Sequence, residues 1–206
     1  MKTGKRGRLS GSPWFCGVVL AIASYISLPT MADVQAEASW TPVAFGAYPI
    51  VQCPERDYDV TGFRFNLLAG RHRNVVGFDM GVIANICDGS CSGFEFSAVC
   101  NVVGDSAWAV QFSAACNYSS NYSKGFQFAM VNWSAADFAG VQLGLFNFVG
   151  DFSGLQMGLL NSAESGGGVQ FGLVNVSGEF AGVQFGLLNI NLSSGVPVLP
   201  LMNVMF

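Results

Sequence analysis

Four near-identical heptapeptides at a constant interval constrain this chain more than any other feature. They are Val141-Gln142-Leu143-Gly144-Leu145-Phe146-Asn147, Leu155-Gln156-Met157-Gly158-Leu159-Leu160-Asn161, Val169-Gln170-Phe171-Gly172-Leu173-Val174-Asn175 and Val183-Gln184-Phe185-Gly186-Leu187-Leu188-Asn189, each 14 residues after the last. Asn203 falls 14 residues beyond Asn189, so Pro197 to Asn203 reads as a final, degenerate copy. Upstream the step widens to 15 or 16, through Phe126-Gln127-Phe128, Val110-Gln111-Phe112, Phe94-Glu95-Phe96, Phe78-Asp79-Met80 and Phe63-Arg64-Phe65, with Val43-Ala44-Phe45-Gly46 as the first copy. A fixed short period covering a whole domain signals a stack of equivalent units, each of which buries its face only against its neighbours.

Within a copy, apolar and small or polar residues alternate with period two, which is the strand pattern. Turn residues follow each strand, as at Gly150-Asp151, Ser162 to Gly168 and Ser177-Gly178, and a second apolar point recurs at Phe138, Phe152 and Phe180. One repeat therefore holds one good strand, a turn and a second short segment. The same turn type recurs in every copy without odd–even alternation. This predicts an all-β, parallel β-solenoid of about eleven 14–16-residue coils. The alternative is an antiparallel outer-membrane-type β-barrel, suggested by Val198, Met202, Val204 and Phe206, which resemble the last strand of such a barrel.

Composition narrows the function classes. Hydrophobic residues make up 51% of the chain and charged residues 11%, too apolar for a disordered protein. His72 is the single histidine, which excludes a multi-histidine metal site. Four of the nine basic residues (Lys2, Lys5, Arg6, Arg8) lie in the first eight positions, all 13 acids lie at Asp33 or beyond, and no Lys or Arg occurs from Gly125 to Phe206. A nucleic-acid partner wants the opposite sign. The basic start, the uncharged run Trp14 to Leu28 and the small residues ending at Ala32 read as a signal peptide over 1–32, cleaved after Ala32, with Ala36 and Ala38 as alternatives. The run is shorter than a membrane span. Residues 33–42 are then a short linker, and 43–206 a single repeat domain.

The tandem Gly-apolar-Gln-apolar-Gly-apolar-apolar-Asn copies, the stretch Gly62 to Gly70 and the Pro197 to Phe206 ending resemble the bacterial surface-repeat proteins of the leptospiral type. The resemblance implies an exported, surface-associated protein with no established activity, and supplies no catalytic residues.

Three columns are candidates for function. The Gln column runs Arg64, Asp79, Glu95, Gln111, Gln127, Gln142, Gln156, Gln170, Gln184; its amides can bond along the stack, and Arg64 can pair with Asp79 in the next coil. The small column runs Gly81, Ser97, Ser113, Ala129, Gly144, Gly158, Gly172, Gly186. With Phe171 and Phe185 stacked inside, Gln142, Gly144, Gln156, Gly158, Gln170, Gly172, Gln184 and Gly186 form the candidate contact face, a flat outward strip. Its candidate partners are a surface ligand, a glycan, a protein, lipid or a second copy of the chain. The competing reading of the small column is close backbone approach. The Asn column, Asn85 to Asn203, reads as a structural ladder at the coil corner.

Asp137, Asp151, Glu164 and Glu179 read as solubilising turn residues, since the Gly-Gly-x-Gly-x-Asp calcium repeat is absent. Arg71-His72-Arg73 reads as a solvated loop. Export permits disulfides, expected as Cys87–Cys91 within a small loop and Cys100–Cys116 between neighbouring coils, with Cys53 left over. No phosphate loop, nucleophile elbow or paired thiolate motif is present, so neither a metal nor a cofactor is expected. The expected function is a non-enzymatic binding or structural scaffold at the cell surface, in the outer membrane or outside the cell. The barrel alternative makes it a pore-like protein.

Overall fold

In the computed structural model, which describes residues 39–48 and 51–205, the chain winds as a parallel β-solenoid. The expected signal segment lies outside the described residues. The repeat unit fixes the register: each Gln or its equivalent pairs with the next one along the stack, as Gln127↔Gln142, Gln142↔Gln156, Gln156↔Gln170 and Gln170↔Gln184. The Asn column pairs likewise, from Asn85↔Asn101 to Asn161↔Asn175. Val43-Ala44-Phe45-Gly46 is the first copy, in parallel register with Phe63-Arg64-Phe65-Asn66. These parallel neighbours exclude the antiparallel barrel.

The last expected copy is different. Val198–Met205 folds back antiparallel on Val174–Asn191, with Gln184 opposite Asn203. At the other end, Val51–Cys53 pairs antiparallel with Trp40–Ala47. The parallel stack therefore has ten coils rather than eleven, closed at each end by a reversed strand. Such closure covers edges that would otherwise present unpaired backbone groups. Pro197 lies just before the C-terminal cap and Pro200 within it, on the last strand of the sheet, where a missing backbone donor is tolerated.

Each coil carries two strand segments, one bearing Gln and one bearing Asn. In the N-terminal coils they are separate, as in Ala107–Ser113 and Cys116–Ser119. From Val131 onward the Asn-bearing segment of one coil runs directly into the Gln-bearing segment of the next, as in Phe146–Met157. The glycine opening the Gln segments from Gly125 onward has a geometric cause. Gly140 and Gly154 adopt φ of 142° and 141°, and a Cβ on Gly154 would stand 2.0 Å from the carbonyl oxygen of Gly140.

The faces are the reverse of the sequence expectation. Gln170 is 0% exposed while Phe171 is 40% and Phe185 36% exposed. The tube is polar along its inner Gln and Asn columns and apolar outside. Its apolar interior is confined to the remaining corner, where Phe138, Val149, Phe152, Ala163 and Phe180 cluster in the C-terminal coils. In the N-terminal coils Val60, Val75, Cys87, Cys91 and Val103 pack together.

Candidate functional site: an apolar outer face over a polar interior

Strand alternation sends every second side chain inward, and the amides that go inward are satisfied by their own copies. Gln184 Nε2 donates to Gln170 Oε1 at 2.7 Å, Gln170 Nε2 to Gln156 Oε1 at 2.7 Å, and Gln156 Nε2 to Gln142 Oε1 at 2.8 Å. The Asn ladder does the same in the opposite direction: Asn147 Nδ2 donates to Asn161 Oδ1 at 2.8 Å and to the Met157 carbonyl at 2.9 Å. A buried amide bonded on both sides avoids the desolvation cost that would otherwise exclude it from an interior.

The expected contact face of Gln142, Gly144, Gln156, Gly158, Gln170, Gly172, Gln184 and Gly186 is therefore not a surface. All four glutamines are 0% exposed. The four glycines sit at the tight corner beside the Asn ladder. A Cβ on Gly158 would lie 2.5 Å from the Gly144 carbonyl oxygen and 2.8 Å from Asn147 Nδ2. Close approach, not an outside partner, keeps that column small.

The surface that remains is built from the columns on either side. Phe65, Met80, Phe128, Met157, Phe171 and Phe185 are exposed along one line, with Leu145, Leu159, Leu173 and Leu187 along the next. Neighbouring rings stack coil on coil: Phe78–Phe94 at 5.0 Å, Phe96–Phe112 at 5.1 Å and Phe171–Phe185 at 4.8 Å between centroids. Such offset rings add to area burial, though here half of each ring faces out. From Gly125 on, Asp137, Asp151, Glu164 and Glu179 supply all the charge. All four are exposed at the turns following the Asn segments, as the sequence reading expects. The outer face thus divides into a broad apolar side and an acidic edge. Tyr118 and Trp133, in edge contact at 5.7 Å, occupy the column between them.

The N-terminal coils replace amides by charges in the same inner column. Arg64 Nε donates to Asp79 Oδ1 at 2.7 Å and its Nη2 to Asp79 Oδ2, so the expected pairing across adjacent coils is present, with both side chains 0% exposed. Asn66 Nδ2 also donates to Asp79 Oδ1, at 3.1 Å. Glu95 follows: its Oε2 accepts from Gln111 Nε2, while its Oε1 is buried without a partner. Burial, and then the Asp79 carboxylate, raise the Glu95 carboxyl to about 7. His72 is buried, and burial and the adjacent Arg64 guanidinium lower it to about 4. The 71–73 segment is therefore not a solvated basic loop. Arg71 Nε donates to Asp88 at 2.9 Å and Arg73 Nε to Asp59 at 2.8 Å.

Cys100 and Cys116 form the expected disulfide, their α-carbons 4.7 Å apart in paired positions of adjacent coils. The expected Cys87–Cys91 link is absent: both are buried free thiols. Cys87 Sγ bonds instead to the Arg73 and Ser90 carbonyls. Burial pushes both thiols up, away from thiolate character. Cys53 is a free, exposed thiol. Among the described residues no group of histidine, cysteine or carboxylate side chains is arranged to hold a metal, and no helix is long and apolar enough to cross a membrane.

The inward position of Gln and the outward position of Phe were missed because both patterns have period two. One signal was available. The amide columns keep one residue type through the C-terminal copies, whereas the flanking columns exchange Phe, Val, Leu and Met. A ladder demands identity, and an apolar outer face demands only hydrophobicity.

No family model, no curated protein and no solved structure matches this chain.

Proposed function

We propose that the protein is an exported, surface-associated, non-enzymatic scaffold whose working surface is the apolar side of the tube, held against the hydrocarbon of a lipid membrane. The observation that carries this reading is the inversion itself: polar side chains lie in internal ladders while exposed Phe, Leu and Met columns run coil after coil. Apolar patches of this extent on a protein surface mark interaction sites. Lipid is favoured as the partner by the charge distribution, since the C-terminal coils keep their charges to one edge. The side walls of a solenoid also suit lipid, because coil-to-coil bonds satisfy the backbone, the condition that hydrocarbon imposes. Tyr118 and Trp133 at the border have the amphipathic character of interfacial residues.

Export is supported by the basic-then-apolar start of the sequence and by the Cys100–Cys116 disulfide, which fits an oxidising compartment. The non-enzymatic reading is supported by the placement of Asp79, Glu95, His72, Cys87 and Cys91, all buried within the tube.

Flotation with neutral phosphatidylcholine vesicles tests the reading. The protein should float in both 0.15 M and 1 M salt, to about the same extent, because the attraction is not electrostatic. A protein that stays at the bottom as a stable dimer would overturn it in favour of self-association. Flotation abolished by high salt would also contradict it.

A further inference from the structure

The two ends of the sheet are finished differently. At the N-terminal end the edge strand Val51–Cys53 is three residues long, and Pro54, Glu55, Arg56 and Asp57 follow it directly. A short strand, proline and charge are the devices that keep an edge from pairing with another chain. At the C-terminal end the edge strand Val198–Met205 is eight residues long, stands last in the sheet and pairs with Val174–Asn191 on one side alone. No charged residue follows Glu179. Pro200 withholds a backbone donor, and Leu201, at φ of 68°, lies where the register shifts, so the first half of this strand is guarded. Met202, Asn203, Val204 and Met205 carry no such device.

The inner column is also left open at this end. Each glutamine of the C-terminal ladder both donates and accepts, as Gln170 does between Gln156 and Gln184. Asn203 takes the last place in the column, 3% exposed, and its Nδ2 donates to Gln184 Oε1 at 3.4 Å. Its Oδ1 accepts no hydrogen bond among the described residues, and a primary amide has a second N–H to give. The ladder therefore ends on one open acceptor and one open donor, in a position where polar groups are normally paired. On the outer face Met202 and Val204 lie opposite Phe185 and Val183 and continue the apolar columns, 52% and 40% exposed.

We propose that Val198–Met205 pairs antiparallel with the same strand of a second copy of the chain, about a two-fold axis through Asn203. An antiparallel strand is its own complement. Pairing about that point sets Asn203 opposite Asn203, Met202 opposite Val204 and Leu201 opposite Met205, and leaves Pro200 at the end of the paired stretch. Directly opposed residues share a face and lie about 4.5–5.5 Å apart, so each Asn203 can give its free N–H to the other's Oδ1 and the two ladders close on one another. The N-terminal edge is no equal partner for this strand, being short and followed by charges, so the contact closes at two copies instead of running on as a filament. It uses the end of the tube and leaves the side wall free, with both apolar walls on one side of the joined sheet. It does not rest on the membrane reading.

Sedimentation equilibrium of the full chain in a non-ionic detergent, which covers the side wall, reads this contact. The native protein should reach a dimer, and nothing larger, below about 100 μM. The variants Met202→Lys/Val204→Lys and Met202→Glu/Val204→Glu change exposed side chains of the edge strand, so the fold is retained, and set like charges directly opposite each other across the axis. Each alone should dimerise at least about tenfold more weakly. Mixed in equal amounts at low salt, the two should recover the dimer as a heterodimer. A native chain that stays monomeric over that range, a charged variant that dimerises as tightly as the native chain, a mixture that stays monomeric, or assembly past two copies would each overturn the proposal. A dimer that fails to float with vesicles would overturn the membrane reading alone, and a monomer that floats would overturn this proposal alone.

Discussion

Replacing Glu95 by Gln should stabilise the protein, and by an amount that depends on pH. The inner column holds Asp79, Glu95 and then the glutamines, so Glu95 ends the amide ladder with a buried carboxyl beside a second one. Its Oε1 has no partner. A glutamine there follows the ladder rule seen throughout: its Nε2 donates back toward Asp79, and its Oε1 accepts from Gln111. The folded Glu95 carboxyl titrates near 7 against an ordinary value of 4.5. Between those limits the folded chain holds a proton that the unfolded chain has released. Stability is therefore lost as pH rises through this window, and the loss is complete above the folded value. Two and a half units at 1.36 kcal/mol each give on the order of 3 kcal/mol at pH 8. The thermal midpoint of Glu95→Gln should exceed that of the native chain by up to roughly 10 °C at pH 8, with the difference shrinking toward pH 4.5. Because a solenoid can open coil by coil, hydrogen exchange of the 75–112 amides should accompany the melts. A gain of equal size at pH 5 and pH 8, or a loss at pH 8, would show that the Glu95 carboxyl does not carry this cost.

Other outcomes follow from the inverted faces. Gln170→Ala breaks two ladder bonds, leaving Gln156 Oε1 buried without a partner and Gln184 Nε2 with only its bond to Ser177 Oγ, which should cost about 2–3 kcal/mol. Phe171→Ala removes a half-exposed ring and should cost about 1–2 kcal/mol in denaturant melts; the reverse order would contradict the assignment. Gly158→Lys and Gly172→Lys should abolish folding, read by circular dichroism, because a side chain there meets backbone and the Asn ladder. Mass mapping of alkylated native protein should find Cys100 joined to Cys116 and Cys53 modified, with Cys87 and Cys91 reacting only after unfolding.

The solenoid was legible in the sequence because its information is periodic: constant Gln-to-Asn spacing and one turn type per copy force parallel, in-register stacking. The Arg64–Asp79 pair and the Cys100–Cys116 link followed from the same register, since residues at equal positions in adjacent copies must meet. The direction of each column did not follow, because an alternating strand can present either set of side chains to the interior. The usual rule puts the apolar set inside; here closure of amide ladders outweighed it. The reversed C-terminal strand was hidden for a related reason. Asn203 keeps the 14-residue step, yet Leu201 with φ of 68° and Pro200 belong to a strand that returns antiparallel. The Cys87–Cys91 link was inferred from sequence proximity alone, and both thiols instead lie buried in the apolar corner.

Environment-sensitive labelling reports whether the apolar columns form a lipid-contacting outer face. In a Cys53→Ser background, single cysteines at Met157, Phe171 or Phe185 would carry a polarity-sensitive fluorophore, with parallel labels at Asp137, Asp151 and Glu179. On addition of phosphatidylcholine vesicles the first three labels should shift to the blue and brighten, while the three on the acidic edge stay as in buffer. Labels that respond alike on both sides, or only on the acidic edge, would contradict the account.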